Sequence, residues 1–191
     1  MFALRRAASS YGGTPMSGRW KVPRDAWRVT WGAVLITIGM SSAVRAQAMG
    51  QTIRGISCDA QEGQRIHIHQ RLLIVIRGKE MTIPQYIGIP QGARCIYWLH
   101  THTPDGIIHV EAPSDRSFTL GDFFAVWGQP LDRTHVAGAQ VKKGESLRAW
   151  VNGALYKGDP ATIPLTAHAD IVIQIGPPFA KPVAFTKWGP L

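Results

Sequence analysis

The stretch RIHIHQRLLIVI, residues 65–76, alternates polar and apolar side chains over its first half and then becomes almost continuously apolar. A period of two sends successive side chains to opposite faces of a strand, and a run apolar on both faces must be covered on both. A chain built around this segment therefore folds around a sheet. The same period returns in RCIYWLHTH (94–102), GIIHVEAP (106–113) and ADIVIQIG (169–176), with Gly and Pro between the runs. RGKE turns the first strand, MTIP follows as a short strand ended by Pro84, and SLRAWVNGALYKG (146–158) is a hairpin around Asn152 and Gly153. The expected fold is mainly β, a small β-sandwich or barrel-like domain.

One segment departs from this pattern. In SFTLGDFFAVWG (117–128), Thr119 can cap a helix with Asp122 in its first turn, while Leu120, Phe123, Phe124 and Trp127 share one side and Gly128 closes it. A short helix over about 119–127, packed on the sheet through its aromatic side, is expected.

The ends of the chain read differently. WGAVLITIGMSSAV (31–44) is an apolar run preceded by Arg19, Lys21, Arg24 and Arg28 and followed by RAQA, whose Ala46 and Ala48 fit a small-x-small cleavage site. It is shorter than the roughly 20 apolar residues a bilayer span needs. Residues 1–48 are therefore expected to be a signal segment cleaved after Ala48, with Met16 a more usual start than Met1, and 49–191 a single β-rich domain with a Pro-rich C-terminal tail. That signal carries seven of the 21 Lys+Arg and one of the 12 Asp+Glu, so its removal lowers the formal net charge from +9 to +3. The apparent basicity leaves with it, and no nucleic-acid partner and no stable membrane span are expected in the periplasmic or secreted product.

Two cysteines remain, Cys58 and Cys95. An even count in an exported chain favours a disulfide, with one possible connectivity. The alternative is a thiolate ligand of a type 1 copper site, which usually also needs a following Met, and none follows Cys95.

WLHTHTPDGIIHVE (98–111) carries three histidines and a glutamate, and its reading depends on the register of its hairpin. With Pro104 and Asp105 as a two-residue loop, His102 stands opposite Ile107, His100 opposite His109, and Trp98 opposite Glu111. One face then carries Trp98, His100, His102, Ile107, His109 and Glu111, and the other Tyr97, Leu99, Thr101, Ile108, Val110 and Ala112. Turn chemistry points to a three-residue loop with Gly106 left-handed, which shifts the register by one and splits the set. The first register sorts polar from apolar residues and is preferred, because it keeps a histidine and a glutamate off the core face. His67 and His69 share a face of their own strand. Should that strand lie beside 94–102, five imidazoles and a carboxylate converge within reach of one ion. Such a set suits a transition metal ion, with Cu or Zn favoured and Fe or Mn open. His135 and His168 sit in turn-like surroundings and are expected to be surface or capping residues.

The segments RIHIHQ, CIYWLHTH…GIIHVEAP and FTLGDFF together resemble an uncharacterised family of exported bacterial proteins. That resemblance implies export and no particular activity. The histidine arrangement is also similar to the cupin metal motif, in which His-x-His is followed by a Glu and later by a His on another strand. Here Glu111 stands further from His102 than that motif has it, and the glycine framework differs.

Three functions fit these residues: a carrier or scavenger of a transition metal outside the cytoplasm; a metalloenzyme, either a cupin-like oxygenase or a metal-hydroxide hydrolase, with Glu111 as ligand or general base; and a binding or structural module without metal. GxSxG, GxGxxG and GxxxxGK are all absent, which argues against a nucleophile elbow, a dinucleotide fold and a phosphate loop.

Overall fold

The computed structural model describes residues 50–189. The proposed signal segment lies outside the described residues. In chain order the elements are β1 (Cys58–Asp59), β2 (Ile66–Ile76), β3 (Lys79–Met81), β4 (Ile96–Tyr97), β5 (Leu99–His100), β6 (Ile107–Ala112), α1 (Leu120–Trp127), β7 (His135–Val136), β8 (Ala139–Gln140), β9 (Ser146–Val151), β10 (Ala154–Tyr156) and β11 (Asp170–Gly176), with a 3-10 turn at Pro160–Thr162. The described residues are mainly β with one α-helix, as the alternation implies, in an open, sandwich-like arrangement.

The main sheet has the order β10-β9-β11-β2-β6-β5, with β3 also paired to β2; β1-β4 and β7-β8 form two small antiparallel pairs. All pairings are antiparallel except β11 with β2, which run parallel. Leu72, Ile74, Leu99, Ile108, Val110, Ile171, Ile173 and Ile175 are buried on one face, where Phe118, Leu120, Phe123, Phe124 and Ile163 complete the core. Removing each such side chain from water contributes about 1.5–3 kcal/mol. β11 is buried along its whole length.

The helix forms as its local signals require. Asp122 N–H donates to the Thr119 hydroxyl at 3.3 Å and Thr119 N–H donates to the Asp122 carboxylate at 3.0 Å, so the two residues satisfy each other's free amides. Gly128 ends the helix in the left-handed region, at φ 72°.

The opposite face of the sheet is covered in two places. The Pro-rich tail crosses β11: the Gln174 amide hydrogen-bonds both ways with the Ala180 backbone, Arg148 lies 3.8 Å above the Phe179 ring, and Phe185 N–H donates to Asp170. At the other edge, the loop that follows β1 is drawn over β5 and β6. The Cys58–Cys95 disulfide and the β1-β4 pair fix its start, and the Trp98 indole donates to Asp59 at 2.6 Å. Gly63 lets the loop pass, because a Cβ there would collide with the backbone of Ala112 and Pro113.

The expected single strand over 94–102 is interrupted at Trp98, because the chain changes partners there. β4 pairs with β1, β5 pairs with β6, and the Tyr97 carbonyl leaves the ladder to meet the His100 ring.

Candidate metal centre

The hairpin adopts the register that gathers the polar residues. His100 pairs with His109 and Leu99 with Val110, and Glu111 N–H donates to the Trp98 carbonyl at 2.8 Å. Beyond His100 the two strands separate. Thr101 instead bonds the segment 84–87, accepting the Ile87 amide at its hydroxyl and donating that hydroxyl to the Pro84 carbonyl. Gly106 is left-handed at φ 80°, and a Cβ on it would strike the Leu72 carbonyl. A loop wider than either expectation therefore holds both the left-handed glycine and the gathered histidines.

The second His-x-His pair arrives from an unexpected side. β2 lies beside β6 and not beside the 94–102 strand, so His67 faces Glu111 and His69 faces His109. β6 is thus the middle strand, with His69, His109 and His100 in one row across the sheet. The central strand supplies the two residues that both neighbours can reach.

The ligand atoms converge accordingly. His69 Nε2 is 3.0 Å from His109 Nδ1; Glu111 Oε1 is 3.3 Å from His109 Nδ1 and 3.3 Å from His67 Nε2. On the other flank His100 Nε2 is 3.2 Å from His102 Nε2 and 4.0 Å from Glu111 Oε2. His67, His69, His109 and Glu111 form one quartet whose ligand atoms all lie within 4.8 Å of one another; His100, His102, His109 and Glu111 form a second. Four atoms bound tetrahedrally at about 2.0–2.1 Å from one ion stand about 3.3–3.4 Å apart. The closest spacings already match the edges of such a polyhedron.

Burial sets the charge state. His100 and Glu111 are 0% and 3% exposed, whereas His67 and His102 reach solvent. Burial lowers the His100 pKa to about 4, against the opposing pull of the Tyr97 carbonyl. It lowers His109 to about 3, helped by the neighbouring imidazoles, and lowers His69 in the same way. Glu111 is raised to about 7, first by burial and then by the Glu62 carboxylate beside it. Near neutral pH these three imidazoles are uncharged, the form that coordinates a metal, and the close approach of His100 to Glu111 is not an ion pair. His100 also has its tautomer set: Nδ1–H donates to the Tyr97 carbonyl at 2.9 Å, leaving the Nε2 lone pair directed into the cluster.

The chain matches no protein-family model, no curated protein and no solved structure. The function must be argued from the site itself.

Of the remaining sequence expectations, the disulfide is formed. His135 caps a turn through Asp132 at 3.0 Å, and His168, left-handed at φ 56°, stacks on Trp188 while its backbone bonds that of His69. Glu62 was not anticipated. Its Oε1 is 3.7 Å from His102 Nε2 and 4.0 Å from His100 Nε2. The available signal was its position four residues after Cys58, since the disulfide must carry that loop to the start of the 95–100 segment.

Proposed function

We propose that this chain is an exported protein that binds a transition metal ion reversibly, a carrier or scavenger outside the cytoplasm. The observation that carries this reading is the quartet His67, His69, His109 and Glu111, whose ligand atoms all lie within 4.8 Å of one another, with His69 and His109 held neutral by burial. Three nitrogens and one oxygen suit Zn or Cu, and also Fe or Mn. The half-exposed edge at His67 supplies a route for the ion. The disulfide fits an oxidising compartment, and no helix among the described residues is long and apolar enough to cross a membrane.

A second reading, a metalloenzyme, is favoured by one specific feature. Glu111 is a buried carboxyl with raised proton affinity beside the ion's position, as a general base requires.

Elemental analysis of untagged protein tests the proposal, run beside His69→Ala/His109→Ala. Copper, zinc, iron or manganese in the wild type and its loss in the variant are expected. Absence of metal from both, with no uptake on dialysis against each ion, would refute it.

A further inference from the structure

We infer that the cluster holds two metal ions joined by the Glu111 carboxylate. This inference rests on the metal-binding reading above and specifies what that site contains.

The donors do not form a single shell. They divide into two quartets that share His109 and Glu111. The two oxygens of Glu111 point to different sets: Oε1 is 3.3 Å from both His67 Nε2 and His109 Nδ1, and Oε2 approaches His100 Nε2 at 4.0 Å. Strand geometry produces this split. Glu111 lies on β6, with the β2 histidines on one side and His100 of β5, followed by His102, on the other.

Sharing His109 as well would leave one set short of a donor, and Glu62 supplies it. Its carboxylate lies against His102 and His100 and hydrogen-bonds to Glu111. Each ion then has four ligands: His67, His69, His109 and one Glu111 oxygen for the first; His100, His102, Glu62 and the other Glu111 oxygen for the second. Two acidic side chains brought together over imidazole lone pairs form a surrounding that a divalent cation stabilises. The second set is built to receive one, since the Tyr97 carbonyl holds the His100 ring and the disulfide positions the Glu62 loop.

The test uses purified protein stripped with chelator and titrated with Co2+ and then Cu2+, with stoichiometry read by calorimetry and coupling by electron paramagnetic resonance. Two equivalents are expected, with the Cu2+ pair spin-coupled, because bridged ions stand roughly 3.5–4 Å apart. Glu62→Gln is expected to halve the stoichiometry and leave a single uncoupled ion. Glu111→Gln is expected to abolish coupling, with circular dichroism confirming that each variant remains folded. His102→Ala, at a half-exposed position, provides a second route to the one-ion form. One equivalent in the wild type, unaffected by Glu62→Gln, would overturn the pair while leaving the metal-binding function intact. Two equivalents with isolated signals would overturn the bridge. No uptake at all would remove the metal-binding reading itself.

Discussion

Gln70 sits between His69 and Arg71 on β2, with its side chain on the core face of the sheet. It is fully buried, and neither its amide nitrogen nor its oxygen has a hydrogen-bond partner among the described residues. Burying an amide without partners costs about 1–3 kcal/mol, whereas an apolar side chain of similar size contributes by its own transfer. Gln70→Leu is expected to raise stability by about 1–2 kcal/mol, read from the urea midpoint at constant m-value. An unchanged or lowered midpoint would show that the amide is satisfied after all. His69, one residue away on the opposite face, is in a different position, because its Nε2 lies 3.0 Å from His109 Nδ1.

Among the elements, legibility follows the range of the interaction that forms each one. The helix was readable because Thr119, Asp122 and Gly128 act on their own neighbours, and the Asn152-Gly153 hairpin because both residues take positive φ, 51° and 76°. The facing of residues 97–112 was readable because one register separates apolar from polar side chains. What was not readable depends on partners distant in the chain: β6 between β2 and β5, the parallel pairing of β11 with β2, and Glu62 over the histidines. No local pattern specifies strand order. The loop after β1 illustrates the point, since its placement depends on Gly63 passing close to β6. Gly63→Ala is expected to lift Glu62 and the cover it provides, lowering the Glu111 pKa from about 7 toward the ordinary carboxylate range. A carboxyl 13C titration measures this directly, and an unmoved Glu111 would show that the loop tolerates the methyl group.

For the molecule as a whole, the buried cluster ties stability to pH. In the metal-free fold His100 and His109 stay neutral until about pH 4 and 3, while in the unfolded chain they protonate near 6.5. The unfolded state therefore takes up more protons as the pH falls below 6.5, and these residues favour unfolding there. Glu111 acts in the opposite sense, because its folded pKa of about 7 exceeds the ordinary 4.5 and the fold binds its proton more tightly between those values. Two imidazoles outweigh one carboxyl, so the stripped protein is expected to have a lower denaturation midpoint at pH 4.5 than at pH 6.5. A higher midpoint at pH 4.5 would contradict the assigned charge states.

The Cys58–Cys95 bridge closes 37 residues apart, next to the loop that carries Glu62. Before oxidation, the sheet holds the strand-borne histidines and Glu111, while the start of the arm that carries Glu62 is held by the β1-β4 pair and the Trp98–Asp59 bond alone. In the two-ion reading, thiol oxidation adds the covalent tie that holds this arm over the histidines. In that reading a reduced chain presents the first set complete and the second with a looser fourth donor, so the thiol state sets how many ions are held firmly.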